Sequence, residues 1–360
     1  MMIFPVFISP VFSFSYKKDS TIAKLPLNIS AWYHHGYLAP HHRSMAFHTT
    51  ENINGFEIIT SGFFSHLKTK RPTLFGAGYY YSNLGNRDVY GNVHAVYAAL
   101  TADVFQSNLP FYFKQSFAFG VSYNTMHFDT DENYFNRAVG SHLNAFVSLS
   151  FNLVAELGDN IEVTAGPSVV HTSNGNVKQP NFGLNLINTR VGFAYKFHPG
   201  NTETEHVPVE SKGMTGNRYQ FIFSGGIRQL SHKIPKNFFI GSVMADYSRR
   251  VSSYQAYGGG IDWIFDPTEG RETYVTEKRV ENIVPWHVGV HLTWERIWNR
   301  FSLALQPGYK VITLSKHNFM QYNRAVIRYR IDGHFLLNIA IKAHGFRADF
   351  IEFGIGYELW

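Results

Sequence analysis

The chain has 360 residues, no cysteine, a formal charge of +6, and only 16% charged residues beside 16% aromatic ones. Without cysteine there is no disulfide framework, thiolate-held zinc or cysteine nucleophile, and the modest charge shows no basic block that would signal nucleic acid. No internal stretch holds the roughly 18 apolar residues of a spanning helix, and a mean hydropathy of −0.17 is not that of a helical membrane protein.

In chain order, Met1 to Ser15 is apolar and is followed by Lys17 and Lys18. Residues 1–20 read as a signal peptide without a basic n-region or a clear cleavage site, or as an ordinary apolar N-terminal segment. From 21 to 360 no repeat period and no linker stand out, and the reading is one domain. Period-two alternation predicts strands near 28–37, 54–63, 74–83, 92–105, 111–124, 143–157, 161–173 and 184–197. It continues near 218–229, 238–250, 253–265, 284–296, 301–311, 335–343 and over the last strand to Trp360. The charged or turn-rich stretches 126–140, 198–217 and 266–283 read as longer loops.

Within 143–157 the odd positions are Leu, Ala, Val, Leu, Phe, Leu, Ala and Leu, opposite Asn144, Ser148, Ser150, Asn152 and Glu156. A soluble sandwich also alternates, but these runs exceed the usual sandwich strand, and their polar faces carry Gly, Ser, Asn and isolated charges as a barrel lumen does. The expectation is an all-β, transmembrane antiparallel barrel of about 14 strands, with 12 as the alternative, since bacterial barrels use even numbers. Trp263, Trp286, Trp294 and Trp298 fit interfacial aromatic girdles. The pairs His34-His35 and His41-His42 admit a metal reading. Adjacent strand residues point to opposite faces and no carboxylate is spaced with them, so solvated rim residues are the default and no metal is assigned.

One segment carries chemistry. It reads Val169-Val-His171-Thr-Ser173-Asn174-Gly175-Asn176-Val-Lys178-Gln-Pro180-Asn181-Phe-Gly183-Leu-Asn185. His171 and Ser173 are two apart on a predicted strand, so they leave one face and can meet. That face continues Ile161, Val163, Ala165 and Val169, the apolar side, and Asn185 shares parity with Ile187, Val191 and Phe193 on the next strand. Three polar groups on a lipid-facing surface are costly unless they satisfy one another or serve a function. A hydroxyl beside an imidazole, with a third polar group to orient the ring, is an activated nucleophile. The bland alternative is a rim histidine and a serine in a Ser-Asn-Gly turn, with Gly175 and Gly183 as turn glycines, Lys178 a solvated loop lysine and Arg190 a lumen arginine.

The same segment resembles the lipid A 3-O-deacylase (PagL) family of outer-membrane acyl hydrolases, whose barrels carry His-x-Ser-Asn followed by Pro-Asn-x-Gly. The likeness is close over 171–185, looser over about 140–197, and says little about 1–90 or 218–360; the chain is much longer than the eight-stranded members. The resemblance implies Ser173 as nucleophile and His171 as general base, with Asn174 and Asn181 shaping the oxyanion hole. Where the family places an acidic residue this chain has Asn185, which can orient the ring without charge. It further implies an outer membrane of a Gram-negative bacterium, lipid A or a similar membrane lipid as substrate, no nucleic acid, no cofactor, and compatibility with a homodimer. The rival function is a non-catalytic, porin-like or lipid-binding barrel, whose lumen as a porin would be open.

Overall fold

The computed structural model describes residues 27–40, 42–63, 73–105, 111–197, 215–252, 254–268, 285–298, 300–313, 320–331, 333–344 and 347–360. The expected leader, residues 1–20, lies outside them, as do most of the loops at 198–217 and 266–283. Long alternating runs form the strands because every second side chain shares a face, which lets one face pack inward along the whole element. The first eight are β1 (Leu27–Leu38), β2 (Ile53–Phe63), β3 (Thr73–Asn83), β4 (Asn92–Phe105), β5 (Phe111–Asn124), β6 (Leu143–Leu157), β7 (Ile161–Ser173) and β8 (Leu184–Phe197). The others are β9 (Gly216–Ser231), β10 (Ile234–Ser252), β11 (Gln255–Phe265), β12 (Trp286–Trp298), β13 (Phe301–Ile312), β14 (Gln321–Arg330), β15 (Phe335–His344) and β16 (Arg347–Leu359). The described helix is one turn, α1 (Arg43–Ala46), capped by His42.

These sixteen strands close twice: β1–β8 form one barrel and β9–β16 a second. The single barrel of about 14 strands, or 12, expected from the sequence is therefore corrected in count and in closure. In the first barrel β1 pairs with β8 along its length, from Leu27↔Phe197 to Leu38↔Leu186. In the second, β9 and β16 pair only from Tyr219↔Leu359 to Gly225↔Phe353. Missing from the expected strands is β14, whose inward positions Tyr322, Arg324, Val326, Arg328 and Arg330 hold three arginines and so weaken the apolar alternation that marks the other strands.

Burial runs opposite to a soluble protein. On β6 the inward residues Asn144, Ser148, Ser150 and Asn152 are buried, whereas Leu149, Phe151 and Leu153 are exposed. Leu292 is 69% exposed at the middle of β12, and Phe223, Phe353 and Ile355 are similarly bare. An eight-stranded barrel is just wide enough for side chains to fill it, and side chains occupy both interiors, the first around a small cavity beside Glu57 and Arg190. The first holds an apolar cluster near one end, including Leu38, Met45, Tyr80, Phe146 and Leu186. Beyond it Glu57 accepts from Arg190 (2.8 Å) and Tyr97, and pairs with His34 (2.9 Å). His34 is thus a buried lumen residue, contrary to its reading as a rim side chain, and Arg190 is the expected lumen arginine. The second interior is ionic: Arg328 meets Asp246 (3.0 Å), Arg324 meets Asp262 (2.9 Å) and Arg330 meets Glu295 (3.0 Å).

Candidate functional site

β7 and β8 pair so that His171 lies directly opposite Asn185. The His171 Nδ1 stands 2.7 Å from Asn185 Oδ1, and Nε2 stands 3.0 Å from Ser173 Oγ. Because an amide oxygen only accepts, Nδ1 carries the ring proton and donates to Asn185, which leaves the Nε2 lone pair to accept the Ser173 hydroxyl proton. The three side chains anticipated from the sequence are therefore joined in one hydrogen-bonded chain, at one end of the barrel and on its outward face. His171 is half-buried there, and Ser173 is only 2% exposed.

The turn after Ser173 is built by sequence. Asn174 O accepts from Val177 N at 3.3 Å, and the two central residues, Gly175 (φ 61°) and Asn176 (φ 64°), are both left-handed. Positive φ at both central positions defines a type I′ turn, which Gly and Asn tolerate best. Gly183 has φ 79°, and an added Cβ would lie 2.7 Å from His171 Cε1. Its role is more than the turn expected of it: the missing side chain leaves room for the imidazole.

Asn174 and Asn181, expected to shape an oxyanion hole, are brought together but are occupied. The Asn174 backbone N–H donates to Asn181 Oδ1 (3.0 Å), and its side-chain amide donates to Ser141 Oγ (3.0 Å) and Lys178 O (2.8 Å). They brace the turn; the 174–177 bond itself does not use the main-chain N–H groups of Gly175 and Asn176. Lys178 is exposed, as its solvated reading expects. Gln179–Pro180 is a cis peptide.

Neighbouring segments complete the wall. Gly183 N donates to Ala138 O (2.8 Å) and Phe182 N to Arg137 O (3.3 Å), so the 125–142 loop runs alongside the 174–183 loop. In that loop the backbone N–H groups of Asp131 and Glu132 donate to Asp129 and hold its carboxyl below the ordinary aspartate range. At the β9–β10 turn His232 rests on Phe128, with ring centroids 5.1 Å apart. Burial, then the charges of Arg137 and Lys233, hold its imidazole below the usual histidine value. Among the described residues no cluster of three or more His, Asp or Glu is arranged to hold a metal. Ser141, Asn176 and Gln229 were not legible as site residues; only the Asn-Gly-Asn turn hinted at Asn176.

Comparisons with known proteins agree on both halves. Residues 59–194 match the family described as lipid A 3-O-deacylase (PagL), and residues 217–360 match the acyloxyacyl hydrolase C-terminal domain of PagL. No curated protein matches. Similar solved structures include the siderophore receptor PirA from Acinetobacter baumannii (TM-score 0.25, 8% identity, 89% of this chain), of which the chain spans 43%. The P. putida toluene transporter TodX (TM-score 0.19, 8% identity) is covered over 89% of its length by 93% of this chain. A Rh. blastica porin mutant (TM-score 0.19, 8% identity) is covered over 99% by 92% of this chain. Superpositions this poor carry no argument, whereas the two family matches meet the strands found here, one per barrel. The chain belongs to the lipid A 3-O-deacylase (PagL) family.

Proposed function

We propose that this protein is an outer-membrane serine esterase that removes an ester-linked acyl chain from lipid A or a similar membrane lipid. The observation that carries the reading is the Ser173–His171–Asn185 chain on the outward, apolar face of β7 and β8. Nucleophile, base and orienter there meet a substrate that lies in the bilayer. Ser173 Oγ attacks the ester carbonyl while His171 Nε2 takes its proton. The same proton then goes to the departing sugar hydroxyl, and water, activated by His171, releases the acyl group from Ser173. The main-chain N–H groups of Gly175 and Asn176 are the proposed donors to the developing oxyanion, whose charge strengthens such bonds where water is excluded. No step calls on a metal or cofactor.

Membrane location is supported by the inside-out burial of both barrels. The site lies at the end of the first barrel bearing the connections 39–52, 84–91, 125–142 and 174–183; the opposite end has 64–72, 106–110 and 158–160. Longer loops face outward in bacterial barrels, which supports a site at the outer leaflet, where lipid A resides. The porin-like rival expects an open lumen, whereas buried side chains cross both interiors among the described residues, and the first keeps a cavity of about 40 Å³ beside Glu57 and Arg190.

The test compares lipid A by mass spectrometry after expressing wild type and Ser173→Ala in a host outer membrane. Loss of one ester-linked chain with the wild type alone is the expected result. Unchanged lipid A with both, given folded protein in the membrane, refutes lipid A as the substrate and leaves another membrane lipid or a non-catalytic lipid-binding barrel.

A further inference from the structure

The second barrel closes through a ladder that spans only part of its two closing strands. Its β9–β16 ladder stops at Gly225↔Phe353, yet β9 runs on to Ser231 and β16 begins at Arg347. Just beyond the last pair, Gly226 lies so close to the Ile351 carbonyl that a side chain there would collide with it. Past that point β9 and β16 form no further register pair among the described residues, so the main-chain groups there need partners other than each other. Orphaned main-chain groups in a sheet require partners.

The partner is the turn that follows Ser173. Asn176 O accepts from Gln229 N on β9 (2.8 Å), while Asn176 Nδ2 donates to Ala348 O (2.8 Å) and Asp349 O (2.9 Å) on β16. One residue of the first barrel thus bridges the split seam of the second. Gln229 Oε1 accepts from Gln179 N (2.7 Å), and Gly175 packs so closely on Ile351 that a side chain there would strike it. The socket is itself anchored, since Asp349 pairs with Arg228 (2.8 Å) and Lys342 (3.0 Å).

From this socket an amide relay runs back toward the nucleophile. Gln179 Nε2 donates to Asn176 Oδ1 (2.9 Å), and Asn181 N donates to Gln179 Oε1 (3.2 Å). Asn181 Oδ1 in turn accepts from the N–H of Asn174, the residue after Ser173. We infer that the second barrel is the positioning scaffold of the nucleophile's loop, acting through Asn176 and Gln229 as positioning residues in the split β9–β16 seam. This rests on the serine-esterase reading above. Asn174 and Asn181 brace the loop from within the first barrel, whereas Gly175 and Asn176 at its tip meet the second, and a displacement of about 1 Å at a reacting group costs on the order of 10²-fold in rate. The seam constrains that tip, which gives the second barrel a role in catalysis without contributing any reacting group.

The test uses the full chain in mixed micelles of lipid A and detergent, with folding checked by heat-modifiable migration on gels. Asn176→Gly keeps the left-handed turn and the main-chain bond from Gln229 but removes the side-chain amide. Gln229→Leu removes the acceptor for Gln179 from the other barrel, and Gln229→Glu retains an acceptor. The expected result is a kcat lower by about 10²-fold for Asn176→Gly and Gln229→Leu with KM within about threefold. Gln229→Glu should recover most of the rate. Folded Asn176→Gly and Gln229→Leu proteins with wild-type kcat, or a loss confined to KM, would overturn the positioning role while leaving the esterase intact. A wild type that releases no acyl chain would instead sink the esterase reading and the positioning role together.

Discussion

The proposed esterase depends on how Asn185 holds the His171 imidazole. Replacing the orienting Asp by Asn in a serine protease costs about 10⁴ in turnover by stabilising the wrong imidazole tautomer. Here the amide presents Oδ1 to His171 Nδ1, which keeps the productive tautomer and forgoes only the charge that would stabilise the imidazolium. Asn185→Glu should therefore match or exceed the wild-type kcat, while Asn185→Leu should lose about 10²-fold through a wandering ring. Steady-state hydrolysis of lipid A compares them, and equal rates would remove Asn185 from the mechanism. His171, Ser173 and Asn185 were legible because a shared strand parity is a local property. The occupied amides of Asn174 and Asn181 were not, because their mutual bond depends on how the 174–183 loop folds back on itself, and Ser141 reaches Asn174 only from a second loop.

Among the elements, β1, β2 and β8 are tied across the first lumen by Glu57. Its carboxylate receives Arg190 from β8 and meets His34 from β1, both of them buried. Removing one partner of a buried pair leaves the other charge uncompensated at a cost of about 3–5 kcal/mol. Glu57→Ala should accordingly lower the denaturant midpoint of folding into vesicles by that equivalent, and a shift below about 1 kcal/mol would show that water or neighbouring dipoles take over from the carboxylate. The alternation that outlines these strands also predicts which residues face inward. It cannot say that His34 finds Glu57, since that pairing depends on the register of β1 with β2.

At the scale of the whole molecule, two narrow barrels lie against each other, with Phe75 of the first stacked on Phe301 of the second, centroids 6.0 Å apart. Their outer surfaces carry many exposed large apolar side chains. Leu292→Arg, at the exposed middle of β12, should cost about 2–4 kcal/mol in vesicle folding equilibria if that surface faces the bilayer midplane. A cost within about 0.5 kcal/mol, ordinary for a soluble surface site, would place the barrel outside the membrane.

The sequence alone determined the all-β class, most strand boundaries, the apolar outward face and the Ser173–His171–Asn185 constellation. All of these follow from period-two alternation and short motifs, which act over a few residues. Tertiary structure decided that β8 closes onto β1 and that β9 to β16 form a second ring, because closure is set by hydrogen-bond registers between strands far apart in the chain. It also recovered β14, whose lumen arginines disguise the strand until their carboxylate partners on other strands are in place. Above all, it decided where the β7–β8 turn ends up: Asn176 meets Ala348 and Asp349 across more than 170 positions, and no local pattern encodes a contact at that range.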